Sequence, residues 1–161
     1  MGEVITHMTM SLDGFIADSQ DGVGELFEWY EAGEVEMSTA NPEVTFRVDR
    51  ASAEMLERLR GRAGALVAGR HLFNITNGWH DKHPVGVPVV VVTHRPPTDA
   101  SQKWPKTSFI NGVEPAIVRA RGIARDKNVI VSSPTIIQQA LNAGLVDQVW
   151  ISRGGPKCRF A

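Results

Sequence analysis

The chain has 161 residues, 42% hydrophobic and 22% charged, which suits one globular domain with a core of its own. Seventeen basic and eighteen acidic residues leave a net charge of -1, so the basic excess of a nucleic-acid-binding protein is missing. No run approaches the roughly 20 apolar residues of a membrane span, and the start has no signal-peptide pattern. With a single cysteine, Cys158, no intrachain disulfide can form. We therefore expect a cytoplasmic protein with no membrane and no nucleic acid among its partners.

The first third of the chain predicts one strand followed by irregular structure. Glu3–Thr9 alternates loosely between apolar and polar residues and predicts the strand, and Ser11–Ala17 predicts a turn with a short apolar return. Glu25–Tyr30 predicts a short helix with an aromatic face, and the polar stretch Gly33–Asn41 a mobile loop. Trp29 and Tyr30 have two interpretations, a pocket wall for a planar ring or ordinary core or lid packing.

A helix and a strand follow. Asp49 is a good N-cap for a helix through Arg60, and Gly61 is the expected stop. Gly64–Ala68 is an apolar strand that ends at the polar pair Gly69-Arg70. These residues predict a helix that packs on a strand with a polar end.

The loop after this strand contains candidate metal ligands. His80, Asp81 and His83 lie close together in sequence. They form no helical i, i+4 array and have no partner cysteine, so we expect no metal site.

The second half alternates strands with helices. Val89–Val92 is an unbroken β-branched run, typical of a strand buried on both faces of a parallel sheet. It ends at Thr93-His94-Arg95, and two prolines stop it. After a loop over 96–107, the remaining predicted elements are a strand at Ser108–Ile110, a helix from Pro115 to Ala124, a strand at Asn128–Val131, a helix capped by Ser133 that starts at Pro134 and ends near Ala143 before Gly144, and a strand at Val146–Ser152.

Three of these strands end in polar or small residues: Gly69-Arg70, Thr93-His94-Arg95 and Ser132-Ser133. In open α/β sheets ligands bind at the carboxyl ends of strands, so parallel neighbours would bring the three ends together. Two arginines and a helix start would suit the phosphates of a dinucleotide. Three capped turns with surface arginines are the alternative. No G-x-G-x-x-G is present, so an ordinary Rossmann fingerprint is missing.

Four motifs in order carry a resemblance that spans almost the whole chain. They are Ser11-Leu12-Asp13-Gly14-Phe15-Ile16-Ala17, Ala68-Gly69-Arg70-His71-Leu72-Phe73, Val92-Thr93-His94-Arg95-Pro96 and the run from Ile136 to Asp147. Together they resemble the dihydrofolate-reductase-like family, in the branch related to the reductase (C-terminal) domain of bifunctional riboflavin deaminase-reductase. The resemblance implies an α/β fold with a mostly parallel sheet flanked by helices, and a homodimer.

The resemblance also implies an NADPH-dependent reductase of a pteridine- or pyrimidine-like small molecule, similar to 5-amino-6-(5-phosphoribosylamino)uracil reductase or dihydrofolate reductase. The positions that match coenzyme-binding turns are Ile16, Ala17, Gly69, Arg70, His71, Thr93, His94, Arg95, Ser132, Ser133, Thr135 and Ile136. Asp13 and Trp29 match the substrate side. For the proton donor, Asp49 and Glu54 match the family's helix carboxylate poorly, leaving Asp13 or bulk water.

The chain departs from the family pattern in three places, and the first and third departures motivate the alternative of a non-catalytic or decayed nucleotide-binding homologue. Ser132-Ser133 replaces a Glu-Gly-Gly type of turn, Leu72 replaces a threonine, and residues 153–161 have no strand pattern. We therefore expect a domain over residues 1–152, truncated C-terminal strands and an atypical tail over 153–161. An open sheet edge would be left as a site for association.

Overall fold

A computed structural model describes residues 2–20 and 22–154. Its strands are β1 Val4–Met10, β2 Val35–Ser38, β3 Thr45–Val48, β4 Ala63–Gly69, β5 Val89–Val92, β6 Thr107–Ile110, β7 Asn128–Val131 and β8 Gln148–Arg153. Its helices are α1 Gly24–Phe27, α2 Arg50–Arg62, α3 Arg70–Ile75, α4 Ala100–Lys103, α5 Val113–Ala124 and α6 Pro134–Asn142. Short 3-10 helices lie at Glu28–Tyr30 and Asn77–Asp81. Within these ranges no helix is long and apolar enough to cross a membrane.

Six strands form one sheet in the order β6-β5-β4-β7-β1-β8, and each neighbouring pair is parallel. The expected α/β architecture is therefore confirmed. Because the strands are parallel, their carboxyl ends all lie at one edge of the sheet. The three strands whose polar ends the sequence singled out are adjacent there, with β4 between β5 and β7.

Helices cover both faces of the sheet, and alternate residues of its central strands point to opposite faces. One face packs Val4, Val67 and Val131 against the apolar sides of α5 and α6. The other packs Leu66 and Val91 against α2 and α3. This two-sided burial explains the continuous β-branched runs of β5 and β7.

The predicted loop over Gly33–Asn41 is wrong. Its central part forms β2, which pairs antiparallel with β3. Met37 and Val48 are buried between the strands and α2, and Trp29, Tyr30 and Phe46 pack against them. Gly33 meets β3 so closely that a Cβ there would lie 1.9 Å from the Val48 carbonyl carbon. Packing against distant residues, rather than local propensity, orders this hairpin.

The boundaries of α2 are confirmed at one end only. The Asp49 carboxylate accepts the backbone N–H of Ser52 at 3.0 Å and caps the helix as expected. Gly61 was expected to end the helix, but the helix continues to Arg62. Here β4 begins directly at the buried Ala63, so the sheet rather than the glycine ends the helix.

At the C-terminal end, β8 is an edge strand of the described sheet and pairs with β1 up to Arg153. The next residue, Gly154, donates its N–H to the Met10 carbonyl at 2.9 Å. The strand thus extends one residue past the boundary expected at position 152. The rest of the expected atypical tail, residues 155–161, lies outside the described residues.

Candidate functional site

Arg70 links the ends of β4 and β5. It is the first residue of α3, and its Nη1 donates to the Arg95 carbonyl at 2.8 Å. Its Nε donates to the Asn74 side-chain oxygen, also at 2.8 Å, one turn along the helix. Two hydrogen bonds hold the guanidinium between the two strand ends, and the remaining N–H groups are available to an anion. A guanidinium fixed in this way loses little entropy when it makes further charge-assisted hydrogen bonds.

Ser133 links the ends of β4 and β7. Its hydroxyl was expected to cap α6, but it makes no capping hydrogen bond. Instead the buried Ser133 Oγ accepts the Gly69 N–H at 2.9 Å. Its φ of 86° lies in the left-handed region, which turns the side chain toward β4. The side chain therefore joins two strand ends at a position where the family pattern has glycine.

This geometry predicts a stability difference between two substitutions. Ser133→Ala leaves the buried Gly69 N–H without its acceptor and should lower the free energy of unfolding by about 1–3 kcal/mol. Ser133→Gly loses the same bond but relieves the positive φ, and should cost about 1 kcal/mol less. Urea unfolding of the three proteins measures both values. Wild-type stability in the alanine variant would contradict the assigned bond.

The end of β5 forms a small hydroxyl-closed turn. Thr93 Oγ1 accepts the Arg95 N–H at 3.2 Å, and the Thr93 N–H donates to the Ile110 carbonyl of β6 at 2.9 Å. The turn presents the Arg95 carbonyl to Arg70. The three strand ends are thus connected to one another by hydrogen bonds.

A cleft of about 920 Å³ runs along this edge of the sheet. All the predicted coenzyme-binding residues except Arg95 line it: Ile16, Ala17, Gly69, Arg70, His71, Thr93, His94, Ser132, Ser133, Thr135 and Ile136. Arg95 has an exposed side chain beside the cleft. No aspartate or glutamate among the described residues lines the cleft, so its lining charges are all cationic.

The structure does not bring Asp13 and Trp29 to the cleft lining. The exposed Asp13 carboxylate accepts the Ser11 hydroxyl within the turn after β1. Trp29 stacks on Tyr30, with ring centroids 4.0 Å apart, and packs against the Met37 and Val48 cluster. This is the core-packing interpretation of Trp29, whereas Tyr30 itself does line the cleft.

A left-handed turn follows α3 and contributes Trp79 to the cleft lining. Asn77, Gly78, Trp79, His80 and Asp81 have φ between 47° and 59°, a conformation that costs L-residues roughly 1–2 kcal/mol each. The Asp81 carboxylate secures the turn by accepting two hydrogen bonds, from the Lys106 backbone N–H at 3.0 Å and from the Thr107 hydroxyl at 3.1 Å. The strain is concentrated where the turn places Trp79 against the cleft.

The three candidate metal ligands, on this turn and just after it, have different surroundings. Asp81 is engaged by the residues that precede and begin β6, His80 is exposed, and His83 packs edge-on against Trp79 with ring centroids 4.6 Å apart. Among residues 2–20 and 22–154, no group of three histidine, cysteine or acidic side chains is placed to hold a metal ion.

Burial lowers the pKa of His83 to about 4, so the folded protein keeps this ring neutral. The unfolded chain binds a proton below its ordinary pKa near 6.5. The contribution of His83 is therefore fully present above pH 6.5 and is lost as pH falls toward 4. Wild type should lose about 3 kcal/mol more stability than His83→Gln between pH 7 and pH 4. Equal losses in denaturant titrations at the two pH values would contradict this.

His7 is a cleft residue that the sequence analysis did not single out. It lies on β1, and its Nε2 is 2.9 Å from the Ser152 hydroxyl of β8. Burial lowers its pKa from the ordinary value. A signal was present, because a histidine inside Val4-Ile5-Thr6-His7-Met8 interrupts an otherwise core-like strand.

Comparison with known proteins gives two findings. A family model described as the RibD C-terminal domain matches residues 3–153. Among solved structures, the chain is similar to a protein from Shewanella sp. PV-4 whose description assigns it to riboflavin biosynthesis. The two are 24% identical, the match covers 94% of this chain and 76% of that chain, and the TM-score is 0.61. At this identity the likeness shows the fold, and it confirms the expected dihydrofolate-reductase-like architecture. No curated protein matches the chain.

Proposed function

Because the chain belongs to the RibD C-terminal domain family, we propose that it is an NADPH-dependent reductase of a pteridine- or pyrimidine-like substrate. The observation that carries the proposal is the hydrogen-bonded edge formed by β5, β4 and β7. There Arg70 is held by the Arg95 carbonyl, and Gly69 by Ser133. A coenzyme with an additional 2′-phosphate meets two arginines at this edge.

The residues of this edge fit the coenzyme's phosphates. Arg70, His71 and His94 line one end of the cleft, Arg95 lies beside it, and the lining contains no carboxylate within the described residues to repel an anion. Ile136 and Ile137 donate their N–H groups to the Ser133 carbonyl. The Thr135 N–H belongs to the first helical turn, where no intrahelical acceptor exists. It is therefore available to a pyrophosphate oxygen, with the α6 dipole adding to the attraction.

The Ser132-Ser133-Pro134 turn offers a phosphate fewer contacts than a glycine-rich turn would. The Ser133 side chain is buried against Gly69, so its hydroxyl is turned toward β4. Pro134 has no N–H to offer. We infer that coenzyme binding depends more on the arginines than it would with a glycine-rich turn.

When bound, NADPH supplies a hydride. The chain's own residues would orient it. Arg70 and the β5 turn hold the phosphate end, and the apolar residues Ile16 and Ala17 lie farther along the cleft. Fixing a coenzyme at its phosphate end would help to orient it toward a flat C=N or C=O acceptor.

The proposal is tested by NADPH oxidation, followed at 340 nm, with 5-amino-6-(5-phosphoribosylamino)uracil and, separately, with dihydrofolate. We expect oxidation that requires one of these acceptors. NADPH binding without turnover of either would instead favour the non-catalytic nucleotide-binding alternative. No binding and no turnover would contradict both.

A further inference from the structure

Reduction of a C=N or C=O bond also needs a proton, and the cleft lining restricts its source. No carboxylate lines the cleft among the described residues, and Asp13 is engaged with Ser11 instead. The titratable side chains that do line it are His7, Tyr30, Arg60, Arg70, His71, His83 and His94. The arginines stay protonated at all relevant pH values, so they are not proton donors.

Most of the other titratable side chains either lie at the phosphate end of the proposed site or are poor proton donors. His71 and His94 follow β4 and β5, at the phosphate end of the proposed site. His83 Nδ1 accepts the Val85 N–H at 3.2 Å, and the ring packs on Trp79. Burial raises the pKa of Tyr30 to about 12, which makes its hydroxyl a weak acid.

His7 is the remaining titratable side chain, and the strand order places it away from the phosphate end of the cleft. This step rests on the proposed function, in which the phosphates lie at the ends of β5, β4 and β7. The next strand is β1, and the cleft continues there past Thr9, Ile16 and Ala17. Neighbouring strands are about 4.8 Å apart, so the cleft at β1 is roughly 14 Å from β5. A coenzyme with its 2′-phosphate at β5 and its pyrophosphate at β7 would have to extend along the cleft to bring its reactive ring to β1.

We propose that His7, held by Ser152, is the catalytic acid of this reductase. The imidazolium of His7 can donate one N–H to the Ser152 hydroxyl and the other to the substrate. The hydrogen bond to Ser152 spans β1 and β8, so it fixes the ring relative to the sheet. A buried donor held in this way needs little reorganisation during the reaction.

In the proposed step, the acceptor carbon gains a hydride, which consists of one proton and two electrons. The coenzyme that supplies this hydride is oxidised. The electron pair of the C=N or C=O bond moves to nitrogen or oxygen, and that atom takes a proton from the His7 imidazolium. The imidazole is then reprotonated by water, which restores the acid for the next turnover.

The surroundings of His7 predict the direction of its pH dependence. On this face β8 presents Trp150 and Ser152, and the Arg58 guanidinium of α2 lies 5.8 Å from the Trp150 ring centroid. Arg60 of α2 also lines the cleft and donates to the Ser38 carbonyl. Burial lowers the pKa of His7 from its ordinary value, and the Arg60 guanidinium is itself paired with the Glu57 carboxylate of α2 at 3.3 Å. The acid form is therefore lost as pH rises, and the rate should fall with it.

The first experiment measures activity with NADPH and 5-amino-6-(5-phosphoribosylamino)uracil between pH 4.5 and 8.5. For wild type, kcat/KM should rise toward acid pH with an apparent pKa below 6.5. His7→Gln should lower kcat by about 100-fold or more, and the rise in kcat/KM toward acid pH, the acid limb of the profile, should disappear. Ser152→Ala should lower kcat by less and keep the limb. His83→Gln should also keep the limb, and His80→Gln, at an exposed position outside the cleft lining, should match wild type.

The second experiment does not depend on turnover. Side-chain NMR of the histidine rings, with His7→Gln used for assignment, should give a His7 pKa below 6.5. Saturating NADP+ should shift the His7 signals and leave those of His80 in place. If NADP+ raises the melting temperature but the His7 signals stay fixed, or if His7→Gln keeps kcat within threefold and the same pH profile, the assignment is wrong. If NADP+ does not bind, the proposed function fails, and this inference fails with it.

Discussion

Phe73→Ala is expected to lower the free energy of unfolding by about 3–5 kcal/mol, because it removes a fully buried aromatic ring from the centre of one core cluster. Phe73 is 2% exposed. Its ring meets Trp104 and Phe109 edge-on at 5.0 and 5.2 Å, and Trp79 at 6.5 Å. No single neighbour can fill the cavity that the substitution leaves.

Phe73 also connects stability to the site. It lies on α3, three residues after Arg70, whose guanidinium carbon is 5.9 Å from its ring centroid. Val118→Ala on the exposed side of α5 is the matched control, and it should change stability by less than about 1 kcal/mol. Denaturant unfolding measures both variants. A Phe73→Ala protein as stable as the Val118→Ala protein would contradict the described packing.

The second large effect concerns the coenzyme. Arg70→Ala should weaken NADPH binding about 10- to 100-fold, because a charge-assisted hydrogen bond to phosphate contributes about 1.5–3 kcal/mol. Adding Arg95→Ala should bring the loss to about 1,000-fold, or roughly 4 kcal/mol. Because NADH has no 2′-phosphate, its weaker binding should change little in either variant.

Isothermal titration calorimetry with NADPH and NADH measures these affinities. Arg119→Ala, at an exposed position on α5, is the matched control for loss of an arginine. The melting temperature of each coenzyme-free variant separates a loss of binding from a loss of folding. NADPH affinity that is unchanged in the double variant would exclude the strand ends as the phosphate site.

The sequence predicts most of the sheet because its buried strands carry their own signal. The β-branched run Val89–Val92 and the apolar strand Asn128–Val131 have the expected bounds, and the Asp49 cap is also where it was expected. In each case local residues and long-range packing favour the same structure. The adjacency of the three polar strand ends required one further fact, the strand order, which periodicity cannot supply.

The elements that the sequence did not predict depend on contacts between distant residues. The β2–β3 hairpin has short strands, and Trp29 and Tyr30 from outside the hairpin pack against its buried residues Met37 and Val48. The left-handed turn before His83 is held by contacts to residues 106 and 107. The hydrogen bond between His7 and Ser152 joins residues 145 positions apart in sequence. No local pattern encodes these pairings.

The most direct test of the account is the thermal stability of the purified protein with NADPH and with NADH at equal concentrations. A ligand that binds only the folded state stabilises it by about 2.7 kcal/mol at 100 times its dissociation constant. For a domain of this size, that corresponds to a rise of about 5–10 °C in melting temperature. We predict this rise with NADPH and a much smaller one with NADH. No rise with NADPH, or equal rises with both, would contradict a 2′-phosphate site at the ends of β4, β5 and β7.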